Sequence, residues 1–255
     1  MDGTNHLVFN IDIGQHKPEN IVSQTAYCPF CERESLEEII ERRGVIWWIK
    51  NKYPVLAKTH QTVIIETDDC NDELSRYPKD HLYAVMSFGV EKWLELSESG
   101  RFASVLFYKN HGPCSGGTIR HPHMQIVGLE EYDCWQHIRP EQFAGDLIAS
   151  RQGVEFNLSN QPRMGFFEFN VILDDLEKLD VFADFTQIAT HYILNGFHRA
   201  CKSYNLFFYR HDGKIIVKII PRFVTSPLFV GYGIPQVANA ERSMAVIQAI
   251  RQNYI

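Results

Sequence analysis

A short pattern occurs twice in this chain, and this repetition constrains the possible folds more than any other feature. Residues 107–112 read Phe-Tyr-Lys-Asn-His-Gly, and residues 208–213 read Phe-Tyr-Arg-His-Asp-Gly. Each copy follows a helix-like segment of similar length and ends in a turn, which indicates an internal duplication. We therefore predict two α+β halves, residues 1–150 and 151–255. The alternative is an ordinary helix–strand–turn meander in which the match is a coincidence.

The apolar pattern predicts the same kinds of elements in both halves. In the first half, strands are predicted at residues 45–50, 62–66 and 105–109, with a helix at 81–98. In the second half, strands are predicted at 166–173, 206–210 and 214–220, with helices at 181–201 and 238–252. The apolar stripes of these helices indicate core packing rather than a cofactor site.

Polar side chains recur at every second residue of the segment His121-Pro122-His123-Met124-Gln125. A strand that re-enters at Ile119 places His121, His123 and Gln125 on one face. Such a row can bind a metal, attack phosphorus or hold phosphate oxygens, whereas His-x-His alone is also typical of a metal pair or a surface cluster. His123 is the best placed to act as a neutral nucleophile, and Gln125 to donate to a phosphate oxygen.

The segment before this row, Gly-Pro-Cys-Ser-Gly-Gly-Thr at residues 112–118, is a glycine-rich turn. It offers backbone N–H groups and two hydroxyls to a phosphate, which strengthens the catalytic interpretation of His123. The second half has Lys-Ile-Ile-Val-Lys-Ile-Ile at residues 214–220 and no histidine row. We therefore expect one half to catalyse and the other to be structural or to shape the substrate site.

Cys28-Pro29-Phe30-Cys31 supplies two soft metal ligands. The pair alone is compatible with half of a zinc site, a redox pair or two small buried residues, and the Pro-Phe insert favours a zinc knuckle. A tetrahedral site needs two more ligands, and the candidates are Cys70, His60, His81, His111 and His121.

The composition excludes several classes of protein. A net charge of −6 argues against broad binding to nucleic acid or to an anionic membrane. Residues 1–20 contain no apolar signal segment, and no run is long enough to span a membrane. We therefore predict a cytoplasmic protein whose six cysteines stay reduced and available for metal.

Taken together, these motifs resemble the galactose-1-phosphate uridylyltransferase branch of the histidine-triad superfamily. The match includes Asn110-x-Gly112, His121-Pro122-His123-x-Gln125, the cysteine pair, Trp48-x-x-x-Asn51-Lys52-Tyr53-Pro54 and Val63-Ile64-Ile65-Glu66-Thr67. Ile220-Pro221-Arg222 and Phe229-Val230-Gly231-Tyr232 extend it, more loosely, toward the C-terminus. The resemblance implies two tandem histidine-triad-like halves, each an antiparallel sheet with a long helix packed on it.

The resemblance also implies roles for individual residues. His123 matches the nucleophile that forms a nucleotidyl-histidine intermediate, and Gln125 matches the glutamine that holds the phosphate. Zinc is implied as the cofactor, with Cys28, Cys31 and His121 as three of its ligands. The family's remaining ligand is a histidine, and Cys70 occupies that position here, which favours Cys70 over His81. A Cys3His site is chemically suitable for zinc. The implied substrate contacts are Asn51, Asn110, Ser115, Gly117 and Thr118.

Two departures from the family pattern bear on the substrate. Full-length transferases of the family have an arginine-rich segment before the cysteine pair, whereas this chain has only Gln15-His16-Lys17-Pro18 there. Pro227 and Gly233 stand where the family has a lysine and an acidic residue for the hexose. We therefore expect nucleotidyl chemistry rather than galactose specificity, in a shortened bacterial offshoot of the branch.

Two classes of function follow from these motifs. The first is a nucleotidyltransferase acting on a nucleotide or nucleotide-sugar substrate, or a related phosphorylase or hydrolase of nucleotide sugars or dinucleoside polyphosphates. The second is a catalytically silent, zinc-stabilised nucleotide-binding protein. The presence of both His123 and Gln125 favours the enzyme, because a pure binder needs no nucleophile. The family also implies a homodimer.

Overall fold

The computed structural model describes residues 6–23 and 27–255. The chain divides into two compact units. The first contains Met1–Glu73, Ala84–Lys109 and Gly116–Ile138, and the second contains Leu74–Tyr83, Asn110–Ser115 and Arg139–Ile255. The predicted halves at residues 1–150 and 151–255 stay a prediction.

The first unit is built on an antiparallel sheet with the strand order β1-β2-β3-β5-β4. Its strands are β1 (Ile39–Arg43), β2 (Ile46–Lys50), β3 (Thr59–Ile65), β4 (Ser104–His111) and β5 (His123–Leu129). A short helix, α1 (Ile11–Gln15), precedes them, and the long helix α2 (Lys79–Glu98) lies between β3 and β4 in the chain.

Helix α2 packs on one face of this sheet because its apolar residues recur at helical spacing. Val85, Met86 and Trp93 are buried, and the Trp93 ring lies 5.9 Å from that of Phe107 on β4. Gly89 permits this approach, since a Cβ there would lie 2.6 Å from the Phe107 ring. Side chains alternate along a strand, so the residues next to Phe107 point to the opposite face.

The second unit repeats this architecture with the strand order β6-β7-β8-β10-β9, again antiparallel. Its strands are β6 (Gly145–Arg151), β7 (Val154–Ser159), β8 (Phe169–Leu173), β9 (Tyr204–His211) and β10 (Lys214–Pro221). Helix α3 (Leu179–Tyr192) lies between β8 and β9, followed by α4 (Pro227–Tyr232) and α5 (Ala240–Tyr254). The α+β class and the two similar antiparallel halves are therefore confirmed.

Three predicted elements have wrong bounds for an identifiable local reason, and the bounds of the other predicted elements differ by at most three residues at either end. The strand expected from Ile119 begins at His123, because Pro122 has no N–H for a strand ladder. The helix expected at 181–201 ends at Tyr192 in a single π-turn that contains Gly196, a poor helix former. The strand expected from residue 166 begins at Phe169, since Phe166 has a positive φ of 59°.

Within the described ranges 6–23 and 27–255, no helix combines the length and the apolar composition that a bilayer-spanning segment needs.

Candidate active site and metal centre

The predicted polar row lies where β5 begins, and the structure divides it. His123 and Gln125 occupy alternate positions of β5 and therefore share a face, which is opposite to the face that carries α2. His121 precedes the strand, is fully buried and points its ring at Cys28 and Cys31. The expected alignment of all three residues on one strand face is therefore wrong for His121.

The ring of His123 is held in a defined tautomer. Its Nδ1 lies 2.7 Å from the carbonyl oxygen of His121, and a carbonyl only accepts, so Nδ1 carries the proton and donates. The lone pair is then on Nε2. Burial lowers the pKa of His123 to about 4, so the ring is neutral near pH 7. A nucleophilic histidine requires these two properties.

Gln125 is paired across the strands with Tyr108 of β4. The Tyr108 hydroxyl donates to Oε1 of Gln125 at 3.1 Å. The amide nitrogen Nε2 then remains as the donor end of this side chain. Burial raises the pKa of Tyr108 to about 12, so its hydroxyl keeps its proton at neutral pH.

Four potential metal ligands converge beside this strand: Cys28, Cys31, Cys70 and His121. Their ligand atoms all lie within 4.8 Å of one another. Nδ1 of His121 is 3.7 Å from Sγ of Cys28 and 3.5 Å from Sγ of Cys31. A tetrahedral zinc ion with its usual bond lengths requires sulfur–nitrogen separations of about 3.5–3.6 Å. The donor set and its spacing therefore fit zinc.

The surroundings of His121 also suit a metal ligand. Its Nε2 donates to the carbonyl oxygen of Thr67 at 2.8 Å, which leaves the Nδ1 lone pair facing the cysteines. The Cys31 amide donates to the Cys28 carbonyl at 3.1 Å, closing the knuckle turn. Burial and the neighbouring thiols together raise the pKa of Cys31 to about 12, so this thiol needs a bound cation to become a thiolate near pH 7.

The other candidate ligands lie elsewhere. His81 belongs to the second unit, where its ring contacts Tyr77, and His111 stacks on Tyr204 in the same unit. His60 stacks on Phe102 in the first unit. The cluster contains Cys70 in the position for which the sequence left a choice between Cys70 and His81.

The predicted substrate residues are distributed over both units. In the first unit, Oδ1 of Asn51 accepts from the Tyr53 amide at 2.9 Å, and the Thr118 carbonyl accepts from the Asn20 amide at 2.9 Å. Gly117 also belongs to this unit and is partly buried. Asn51 therefore forms a turn through its side-chain oxygen, which leaves its amide nitrogen as the group that can contact a ligand.

Asn110 and Ser115 belong to the second unit. Oδ1 of Asn110 accepts from Asn205 at 2.6 Å, and the Ser115 hydroxyl donates to the Gly112 carbonyl at 2.7 Å. Gly112 has a φ of 80°, and a Cβ there would lie 2.1 Å from the Lys202 carbonyl oxygen, so only glycine fits.

Three residues that the sequence analysis did not select support His123. Lys109 and Glu66 form a fully buried ion pair, and Nζ of Lys109 lies 3.4 Å from the His123 carbonyl oxygen. Lys17 is partly buried, and its positive charge contributes to the lowered pKa of His123. Glu66 directly follows the apolar run at residues 63–65, and Lys109 follows the apolar run at residues 105–108, so no local sequence pattern marks the two residues as an ion pair.

The fold is similar to that of uridylyltransferases and of an ADP-glucose phosphorylase of known structure. A uridylyltransferase structure is 16% identical over 91% of this chain and 95% of its own, with a TM-score of 0.69. An ADP-glucose phosphorylase from Arabidopsis thaliana is 14% identical over 89% of this chain and 90% of its own, with a TM-score of 0.70. At these identities, the likeness establishes the fold.

More specifically, the chain belongs to the DUF4931 family. The N-terminal domain of this family, described as a domain of unknown function, matches residues 9–132, and its C-terminal domain matches residues 135–255. The crystal structure of a DUF4931 family protein from Bacillus cereus ATCC 10987 is 42% identical over 82% of this chain and 98% of its own, with a TM-score of 0.75. No curated protein sequence matches the chain.

Proposed function

We propose that the protein is a nucleotidyltransferase that passes a nucleoside monophosphate through His123 to a phosphorylated acceptor. The observation that carries this proposal is the state of the His123 ring, which is neutral, donates from Nδ1 to the His121 carbonyl and keeps its lone pair on Nε2. A metal-ligating histidine has the same arrangement, but His123 is not one of the four residues of the metal-ligand cluster, so its lone pair is left for a substrate.

In the first step, the Nε2 lone pair attacks the α-phosphorus of a diphosphate-linked donor. The N–P bond forms while the P–O bond to the leaving phosphate breaks, and the electron pair of that bond leaves with the oxygen. The ring gains positive charge, which the Nδ1–H bond to the His121 carbonyl stabilises. In the second step, an acceptor phosphate oxygen attacks phosphorus and the N–P bond breaks, which restores neutral His123.

The neighbouring donors suit the charge that develops on the phosphate. The amide nitrogen of Gln125 is placed on the same strand face as His123 and serves as the donor to a non-bridging oxygen. Lys17 adds positive charge near His123. We assign substrate contacts to Asn51, Asn110, Ser115, Gly117 and Thr118, in keeping with the expectation from the sequence.

We propose zinc as the metal held by Cys28, Cys31, Cys70 and His121. A bound ion would anchor the knuckle and thereby fix the backbone of His121, the residue whose carbonyl orients the His123 ring. The proton and phosphorus chemistry stays with the protein side chains.

Pro227 and Gly233 do not support galactose specificity. Pro227 is the first residue of α4, and Gly233 ends that helix with a φ of 66°. Proline suits the first position of a helix and glycine suits its end. Neither residue has a polar side-chain group that could bind a sugar hydroxyl. Structural neighbours include a uridylyltransferase and an ADP-glucose phosphorylase, which supports a nucleotide-linked substrate. The homodimer and the cytoplasmic location stay predictions.

The test is to incubate the purified protein with nucleoside diphosphate sugars and dinucleoside polyphosphates that are radiolabelled at the α-phosphate. We expect an acid-labile, base-stable protein adduct that is lost in His123→Ala. His60→Ala is the matched control, because His60 lies in the same unit and stacks on Phe102. The absence of an adduct with every donor, while the donors still bind, would favour the silent nucleotide-binding protein.

A further inference from the structure

We propose that Tyr108 is a positioning residue that orients the Gln125 amide, so that its NH2 group rather than its oxygen faces the substrate phosphate. This inference rests on the proposed nucleotidyl transfer at His123. It adds a residue that the sequence analysis did not select as a site residue, because Tyr108 occurs there only within the repeated segment 107–112, as ordinary strand sequence.

The strand register brings the two side chains together. Tyr108 on β4 is the direct partner of Gln125 on β5, and directly paired residues project from the same face of a sheet. Phe107, one residue earlier, packs against Trp93 of α2, so Tyr108 points away from the helix toward the face of His123. The Tyr108 hydroxyl lies 3.1 Å from Oε1 of Gln125.

The chemistry of the two groups gives this contact a direction. An amide has a donor end and an acceptor end, and a phosphate oxygen is an acceptor only. If the amide rotates by half a turn, Oε1 faces the phosphate and repels it. The phenol donates to Oε1 in the present orientation. In the described part of the chain, no residue accepts from Nε2 of Gln125, so this donor remains available for the substrate.

The second unit shows what the pairing looks like without this function. Tyr209 of β9 is paired with Ile216 of β10, in the same register as Tyr108 and Gln125. An isoleucine side chain has no amide to orient. The tyrosine is thus common to both strand pairs, and the functional contact arises only where its partner is a glutamine.

The experiment compares Tyr108→Phe, which removes only the hydroxyl, with Tyr83→Phe, which removes a hydroxyl that donates to Asp184 in the second unit. We expect Tyr108→Phe to slow formation of the His123 adduct about tenfold at saturating donor, less than the loss of an entire oxyanion donor. The donor concentration for half-maximal rate should change little. Tyr83→Phe should retain the wild-type rate.

A double-mutant cycle with Gln125→Ala separates positioning from a general structural effect. In the Gln125→Ala background, removal of the Tyr108 hydroxyl should have no further effect on the rate. A tenfold effect that persists in that background would overturn the assignment, and so would an unchanged rate in Tyr108→Phe. The absence of any adduct in the wild-type protein would instead overturn the proposed function.

A second measurement does not depend on turnover or on the activity of the variant. In protein labelled with nitrogen-15, the side-chain amide signal of Gln125 is identified by its absence in Gln125→Ala. We expect this signal to shift or broaden in Tyr108→Phe and to stay in place in Tyr83→Phe. An identical Gln125 signal in wild type and Tyr108→Phe would show that the hydroxyl does not hold the amide.

Discussion

Residues 112–122 connect β4 to β5, whereas Asp212 and Gly213 alone connect β9 to β10. The strand orders are otherwise the same, with a long helix after the third strand of each sheet. The longer connection contains the glycine-rich turn and His121. Both units therefore share one strand plan, and the candidate site residues His121, His123 and Gln125 lie in the longer connection and in the strand that follows it.

The strand register extends this comparison to single positions. When Tyr108 is aligned with Tyr209, Gln125 corresponds to Ile216 and His123 to Lys214. Lys214 is exposed and Ile216 is buried, and neither continues the row that His123 and Gln125 form in the first unit. The largest effects are therefore expected at β5, with none at the equivalent positions of β10.

The first prediction compares the two equivalent positions directly. His123→Gln should lower the yield of labelled adduct at least about a thousandfold, because the nucleophile is lost. Lys214→Ala should leave it unchanged. Both yields are measured by acid-sensitive radiolabel retained on the protein. A substantial loss of adduct in Lys214→Ala would mean that the second unit takes part in the chemistry.

The second prediction concerns the metal, which we expect only in the first unit. The purified protein should hold about one zinc per chain, measured by elemental analysis. Cys70→Ala should lose most of it, since one of four ligands is removed, and chelation should lower the unfolding temperature. Cys201→Ala is the control, because Cys201 lies in the second unit with its thiol near backbone carbonyls. Zinc retained in Cys70→Ala and lost in His81→Ala would contradict the ligand set.

The sequence predicted the features that depend on neighbours along the chain. The alternation of His123 and Gln125, the cysteine pair and most central strands are of this kind. It missed β1, β6 and β7. Of these, β1 and β6 each lie at an edge of the strand order of their own unit and carry charged residues that look like loops.

The sequence also missed contacts that depend on distant pairing. Glu66 and Lys109 come together only once β3 and β4 lie in one sheet, and no local pattern marks them. The same limit applies to Tyr108 and Gln125, whose contact follows from register. Asn51 illustrates a third limit, since an asparagine that caps a turn and one that binds a ligand look the same in sequence.

The third prediction uses a buried ion pair in each unit. Lys109 pairs with Glu66 in the first unit, and Lys218 pairs with Glu168 at 3.0 Å in the second. Glu66→Ala and Glu168→Ala each leave a buried lysine without its carboxylate, so each should lower the free energy of unfolding by about 3–5 kcal/mol. Denaturant titration followed by fluorescence measures this.

These two variants should differ in activity. Lys109 also contacts the His123 carbonyl, so Glu66→Ala should slow adduct formation at a temperature where the protein stays folded. Glu168→Ala should not. Glu131→Ala, at the exposed ion pair with Lys58, is the surface control and should cost less than about 1 kcal/mol. Equal adduct rates in Glu66→Ala and Glu168→Ala would show that the Lys109–Glu66 ion pair does not support His123.

The smallest effect is expected in the second unit, at Asp184. Burial raises the pKa of this carboxyl, but hydrogen bonds from Lys79, Tyr83 and Arg151 outweigh burial, and the net pKa is lowered. The resulting stability is fully present above the unfolded pKa of about 3.9. It is lost as the pH falls through the still lower folded pKa. The stability difference between wild type and Asp184→Asn should therefore shrink only below about pH 4. Unfolding midpoints between neutral and strongly acidic pH measure it, with the exposed Asp146→Asn as a control.

The Asp184 network of Lys79, Tyr83 and Arg151 lies in the second unit, whereas His123 lies in the first. The initial rate of adduct formation at neutral pH should therefore be the same in Asp184→Asn and in wild type.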